Sequence, residues 1–325
     1  MAMDQANQPI TLLVSDNVWA RHGTTILEIS PHIVPVIYEG NEILSDEVIA
    51  TINTVFYSND LWPERSRGFV LSLLKATSVK WMHTFSAGVD SPFFVQLMER
   101  GIRLTNSSGA TASPIAQTAI LYMLALSRNV RAWFQHQGKH EWVQHGFSEL
   151  DNAHLAVIGM GPIGTEIARL GVALNMNVEA IRRTPNGQEP CPTFSFEHLS
   201  EVLSRADWVA VALPLTPETR LLFNAEAFAT MKPGAHFVNV GRGELVDEQE
   251  LISALQSGHL SGAALDVFST EPLPVDSPLW DMDNVIITPH SSAASEQSSR
   301  RSEAIFLENL ALYAADQPMR NEVHL

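Results

Sequence analysis

Cysteine occurs once in the 325 residues, at Cys191, so no intrachain disulfide can form. Pro190 and Pro192 flank it, which marks a loop position, and no motif around it supports a catalytic thiol. No Cys/His cluster has metal-ligand spacing, so no metal is expected. Basic residues are scarce as well: 20 Lys and Arg stand against 36 Asp and Glu, a net charge of −16. Nucleic acid and anionic membrane surfaces need a basic footprint, so neither is an expected partner. Long apolar runs are missing too. The most apolar helical stretch, AILYMLAL at 119–126, is far too short to span a bilayer. The segment MAMDQANQPI lacks a cationic start followed by an apolar run, so no secretory signal is expected. These absences point to a reducing, cytoplasmic setting. With so few cations, an anionic ligand must be met by individual arginines.

What is present is a regular alternation of short apolar runs and helical patterns. ITLLVS (10–15), VPVIY (34–38), TVFYS (54–58), VKWMHTF (79–85) and IRLTN (102–106) form one series. HLAVIG (154–159), MNVEAI (176–181), WVAVAL (208–213), AHFVNV (235–240), GAALDVF (262–268) and NVIITPH (284–290) form a second. Strands this apolar, spaced by helices, predict parallel sheets covered on both faces, and two series predict two doubly wound α/β domains. Asp247 caps a helix, with Glu250 three residues on and Gly258 at its end. Another helix starts near TASPIAQTA, with Ser113 as N-cap and Pro114 in the first turn. Its centre, AILYMLAL, is apolar nearly all round. That predicts burial on every side, in a core or against another subunit.

Gly159, Gly161 and Gly164 spell G-x-G-x-x-G. The strand LAVI precedes them and a helical pattern follows through Pro162 and Ile163, which is the context a dinucleotide loop requires. The glycines permit a tight turn, close approach of pyrophosphate, and close packing of helix on strand. The helix N-terminus offers N–H groups and a positive dipole end. The next strand should end on Asp or Glu if the ribose keeps a free 2′-hydroxyl. It ends instead on Ile181-Arg182-Arg183-Thr184. A guanidinium pairs with a 2′-phosphate in two parallel hydrogen bonds and finds little to hold on a diol. The residues therefore favour NADP(H). NAD(H) stays open, with Glu179 inside the strand as the counter-candidate.

Three later segments carry chemistry. FVNVGRGELVDE puts Arg242 between glycines at the carboxyl end of a strand, where open α/β sheets bind ligands. LDVFSTEPLP carries Asp266 and Glu271, and TPHSSA carries His290 at the end of the last strand. With LAVIGMGPIG, these motifs resemble the D-isomer-specific 2-hydroxyacid dehydrogenase family, which includes glyoxylate/hydroxypyruvate reductases. The resemblance runs over nearly the whole chain. It implies a Rossmann coenzyme domain at 105–288. It also implies a flavodoxin-like substrate domain formed by 1–104 and 289–325, with a cleft between the two.

The resemblance also implies roles. Arg242 binds the substrate carboxylate and carbonyl oxygen, His290 is the general acid, and Glu271 hydrogen-bonds His290. The physics agrees: reduction builds negative charge on the carbonyl oxygen, a fixed guanidinium stabilises it, and an imidazole delivers a proton near neutral pH. TFSAGVD (84–90) resembles the loop whose N–H groups, here those of Ala87 and Gly88, hold the carboxylate. ALPLTPET carries over Leu213, Pro214 and Thr219 beneath the cofactor, with Val240 and Gly241 beside them. Asp266 matches a residue near the nicotinamide carboxamide, and Ser292 a position that touches the cofactor. Arg182 departs from the family's common Asp. Glu271 in place of Gln argues against formate dehydrogenases, and Gln117 stands where Glu is common, an expected structural change. The chain stops soon after SEQSSRRSEAIFLENLALYAA, which disfavours the longer phosphoglycerate dehydrogenases.

The expected function is NADPH-dependent reduction of glyoxylate, hydroxypyruvate or a similar small 2-keto acid to the D-2-hydroxy acid, by a homodimer. If Phe85, Phe93, Phe94 and Trp280 faced the cleft, a bulkier aromatic keto acid such as phenylpyruvate would fit; as core aromatics they would not. C-terminal binding protein corepressors also resemble this pattern, so a non-catalytic cofactor-sensing protein is an alternative reading. An NAD-linked enzyme working in the oxidative direction is another.

Overall fold

A computed structural model describes residues 9–324. Residues 1–8, which hold most of the segment searched for a secretory signal, lie outside the described residues. The chain divides into two compact units. One runs to Thr111 and resumes at Ser295; the other is Ala112–Ala294. Both divisions fall later than the expected 104/105 and 288/289. Asn106 and Ser107 stay with the first unit because their N–H groups bond to Asn321 O at 3.1 Å and Ser86 O at 3.0 Å. Ser291 and Ser292 stay with the second because their N–H groups bond to the Asp266 carboxylate.

The first unit contains β1 (Ile10–Ser15), β2 (Ile33–Tyr38), β3 (Thr54–Tyr57), β4 (Trp81–Thr84) and β5 (Arg103–Thr105), in the order β2-β1-β3-β4-β5 and all parallel. That is the flavodoxin-like order. The second contains β6 (His154–Ile158), β7 (Asn177–Ile181), β8 (Thr193–Phe194), β9 (Trp208–Val211), β10 (Ala235–Asn239), β11 (Leu260–Leu265) and β12 (Val285–Ile287). Their order is β8-β7-β6-β9-β10-β11-β12, again all parallel, which is the Rossmann order with one added strand. A short β13 (Glu322–Val323) lies antiparallel on β5 and closes that edge of the first sheet. All eleven expected strands are present. β8 and β13, two residues each, are too short to leave a periodic signal.

The strands read as unbroken apolar runs because both faces are covered. In β6, Leu155 and Val157 enter one core with Ala119, Met123 and Ile167, while Ala156 and Ile158 enter another with Leu251 and Leu255. No helix among the described residues is long and apolar enough to cross a membrane. Asp247 caps Glu248–Gln256 as expected, its carboxylate accepting the Glu250 N–H at 3.3 Å, and Gly258 follows at φ +74°.

One expectation about the Ala112–Ser127 helix, its N-cap, is corrected. It begins before Ser113, so Ser113 is not the cap; its hydroxyl instead accepts from the exposed Gln117 amide at 3.1 Å. Of the two ways to bury it all round, the core of this chain supplies only one side. Ile115, Ala116, Ala119, Tyr122 and Met123 face the core, but Leu121 is 60% exposed and Leu124 37%. The unit's own core covers only one stripe of it.

Candidate active site

Strand order in the second sheet reverses between β6 and β9, and a ligand crevice forms at the carboxyl ends on either side of such a point. Gly159 leaves β6 at φ +107°, and a Cβ there would meet Ala212 O at 2.7 Å. A Cβ on Gly164 would fall 1.7 Å from Gly159 O, so only glycine lets the Pro162–Ala173 helix start this close to the turn. Gly161 caps that helix, and no atom lies within 4 Å of where its Cβ would project. Pro162 has no N–H to leave unpaired. The first-turn N–H groups of Ile163 and Gly164 have no partner within the helix. This bare backbone at a positive helix end fits a pyrophosphate.

At the end of β7, Ile181 is buried, Arg182 is half-buried, and Arg183 and Thr184 are exposed. Glu179 does not reach the strand end. It takes two hydrogen bonds from Arg205, at 2.6 and 2.9 Å, from the neighbouring helix Leu199–Arg205.

The carboxyl edge continues past β9 to the buried Leu213 and the exposed Pro214. Thr219 braces this loop: its hydroxyl donates to Pro214 O and accepts from the Thr216 N–H, each at 2.8 Å. Beyond β10, the Val240 N–H bonds to Val211 O at 3.1 Å. The turn that presents Arg242 is built by Asn239, a residue that sequence reasoning missed. Its Oδ1 accepts the Gly241 N–H at 3.0 Å and its Nδ2 donates to Arg242 O at 2.9 Å. Asn239 is 1% exposed. The available signal was an asparagine inside an apolar strand, since a buried amide must find partners. Gly243 packs against Phe268, where a Cβ would lie 1.8 Å from the carbonyl carbon. The half-buried Arg242 donates from Nη1 to Gly241 O at 2.8 Å.

His290 follows β12 with φ +49°. Its Nδ1 lies 2.8 Å from Glu271 Oε2, while Glu271 Oε1 accepts the Phe268 N–H at 3.1 Å. An ionised carboxylate only accepts, so the proton sits on Nδ1 and Nε2 is left for exchange. Asp266 sets the unusual backbone. It is 1% exposed, and its carboxylate accepts the Ser291 N–H at 2.9 Å, the Ser292 N–H at 3.1 Å, the Thr288 hydroxyl at 2.5 Å and the Ser292 hydroxyl. Its own carbonyl accepts the His290 N–H at 2.8 Å. Tyr122 completes the chain through its hydrogen bond to the Thr288 hydroxyl. Asp266 and Ser292 are thus placed as clamps of the His290 turn.

The second unit therefore carries Arg242, Glu271 and His290 on one edge of one sheet, with the glycine turn, Arg182 and Arg183 on the same edge. Ala87 and Gly88 belong to the first unit, after β4. There the Asn106 amide donates to Ala87 O at 2.8 Å and the Ser86 hydroxyl to Gly88 O at 2.7 Å. Phe94 is buried, and Phe85 and Phe93 pack partly buried on the same core. Trp280 is 46% exposed and donates to Pro274 O at 2.9 Å. The three phenylalanines are core aromatics. Among the described residues no group of His, Cys, Asp and Glu could hold a metal ion.

The model for "D-isomer specific 2-hydroxyacid dehydrogenase, NAD binding domain" matches residues 120–292, which take in the glycine turn, Arg242, Glu271 and His290. Glyoxylate/hydroxypyruvate reductase B of Escherichia fergusonii is 38% identical over 247 residues, 73% of this chain and 74% of that one. A D-isomer specific 2-hydroxyacid dehydrogenase family protein from Aeromonas salmonicida superposes with a TM-score of 0.83 at 30% identity, over 98% of this chain and 99% of that one. A D-isomer specific 2-hydroxyacid dehydrogenase from Xanthobacter autotrophicus, solved with NADPH and MES, gives 0.77 at 28% identity over 98% of each. On fold, motif and site alike, the chain belongs to the D-isomer specific 2-hydroxyacid dehydrogenase family.

Proposed function

We propose that the protein reduces a small 2-keto acid of the glyoxylate and hydroxypyruvate class to the D-2-hydroxy acid, with NADPH as reductant. The observation that carries this reading is the His290–Glu271 pair at 2.8 Å on the same sheet edge as Arg242. Arg182 and Arg183 at the end of β7, with Glu179 already bound to Arg205, favour a 2′-phosphate over a diol. The names of the E. fergusonii relative and of the NADPH-bound X. autotrophicus structure support the same choice.

In this reading Ala112–Ala294 is the coenzyme unit. Gly159, Gly161 and the N–H groups of Ile163 and Gly164 hold the pyrophosphate, with Leu213, Pro214, Thr219, Val240, Gly241, Asp266 and Ser292 lining the nucleotide. When bound, the nicotinamide supplies the hydride that the keto carbon takes up. The Arg242 guanidinium holds the carboxylate and carbonyl oxygen and stabilises the charge that builds on that oxygen. Nε2 of protonated His290 gives its proton to the oxygen, and Glu271 stabilises and orients the imidazolium through Nδ1. The N–H groups of Ala87 and Gly88, in the first unit, are the further donors proposed for the carboxylate.

We place the enzyme in the cytoplasm as a homodimer. Leu121, Trp133, Phe134 and Trp142 expose apolar surface from one stretch of chain, and a second copy would cover it. Light scattering should give twice the chain mass; a single-chain mass would remove the dimer.

The substrate class is tested by turnover with NADPH and, separately, glyoxylate, hydroxypyruvate, pyruvate and phenylpyruvate. Glyoxylate or hydroxypyruvate should give the highest kcat/KM. Phenylpyruvate as the best substrate would overturn the small-acid reading.

A further inference from the structure

Arg182 does not stand alone at the end of β7. Its Nη1 donates to Glu189 Oε1 at 2.7 Å. The Glu189 side chain is only 5% exposed, against 31% for Arg182, so the carboxylate sits behind the guanidinium rather than waving in solvent. The same Oε1 accepts the Asn186 N–H at 2.9 Å, which closes the loop from Arg182 back to Glu189. These bonds, that from Asn186 first, hold the carboxyl down at about 2. Glu189 is therefore an anion throughout the neutral range.

Glu218 is held below the usual carboxylate range by the Thr216 hydroxyl and its own backbone N–H, and further by the charge of Arg183. Only for Arg182 is the carboxylate in direct contact.

A guanidinium has five donors. Glu189 engages Nη1, which leaves the Nε and Nη2 edge to form a two-point bond with a phosphate. The phosphate would then share one cation with a buried carboxylate. Two anions on one guanidinium repel, whereas a 2′-hydroxyl at the same place carries no charge and is nearly indifferent to Glu189. The effect of Glu189 therefore falls on one cofactor and not on the other.

We propose that Glu189 is a specificity-determining residue: its carboxylate, seated against Arg182, offsets part of the guanidinium charge and limits the preference for NADPH over NADH. This rests on Arg182 being the partner of the 2′-phosphate. The carboxylate keeps Arg182 placed while weakening its hold on the phosphate, so NADH remains a usable cofactor.

The test is the dissociation constant of NADPH and of NADH, measured by fluorescence titration on the purified wild type, Glu189→Gln, Glu189→Asp and Arg182→Ala. Glutamine keeps an amide oxygen where Oε1 accepts from Arg182 and Asn186, but removes the charge. The readout is the ratio of the NADH constant to the NADPH constant, which general damage to the loop does not raise. Glu189→Gln should raise that ratio by roughly three- to tenfold, through tighter NADPH binding. Added salt should shrink the gain. Glu189→Asp should leave the ratio within about twofold of wild type. Arg182→Ala should lower it by roughly tenfold or more. A ratio unchanged or lowered in Glu189→Gln, with Arg182→Ala behaving as stated, overturns the role of Glu189 alone. A ratio unchanged in Arg182→Ala overturns the reading of Arg182 and the inference with it.

Discussion

Replacing His290 with asparagine should lower kcat for keto-acid reduction by about two to four orders of magnitude, with a much smaller change in KM. Asparagine suits the test because the residue sits at φ +49°, a conformation that asparagine tolerates better than most side chains. The turn should survive: its backbone is held by Asp266, through the His290, Ser291 and Ser292 N–H groups, and not by the imidazole. What is lost is the proton on Nε2. Water can still protonate the product oxygen, but without the orientation that Glu271 imposes through Nδ1. Steady-state kinetics on the variant, with its thermal unfolding checked against wild type, reads the effect. A loss below about tenfold would mean that His290 is not the acid.

Arg242→Gln should lower kcat/KM by at least about two to three orders of magnitude, with kcat falling and KM rising together. Both parameters should move, because the proposed role has one guanidinium hold the substrate carboxylate in the ground state and the developing oxyanion in the transition state. Arg242→Lys should recover only a small part of the loss, since an ammonium is a point charge and cannot match the two-pronged geometry. The turn around residue 242 is set by Asn239 and by the contact of Gly243 with Phe268, so neither substitution removes what shapes it. If KM alone rose while kcat stayed at the wild-type value, Arg242 would be a binding residue with no part in charge stabilisation.

Much of this site was legible locally. The glycine turn is a pattern of backbone necessity: a side chain at 159 or 164 collides with Ala212 O or Gly159 O, so spacing alone reveals it. The eleven apolar strands declared two parallel sheets because the central ones are buried on both faces. What stayed hidden depends on contacts between distant residues. Glu179 stayed open as a counter-candidate for the ribose because nothing local showed that Arg205, 26 positions later, holds it. Asp266 read as a residue near the nicotinamide, and its own motif held no sign that its carboxylate also gathers donors from 288 to 292. His83 and His290 both follow or lie in strands, and composition does not separate them. His83 is fully buried, bonded to Thr105 at 2.7 Å and Ser107 at 3.1 Å, and burial pushes it down to about 3. His290, beside Glu271, is 47% exposed. For Ala112–Ser127 the alternatives of core and partner stayed open because an apolar helix reads the same whether its own core or another chain covers it.

The most direct test of the account is the rate of NADPH and NADH oxidation by the purified wild-type protein, side by side, with glyoxylate and with hydroxypyruvate. Faster turnover with NADPH, at a lower KM for that cofactor and with measurable turnover on NADH, is the expected result. Faster turnover with NADH would contradict the assignment of Arg182 and Arg183 to a 2′-phosphate, and no turnover with either cofactor would contradict the reductase itself.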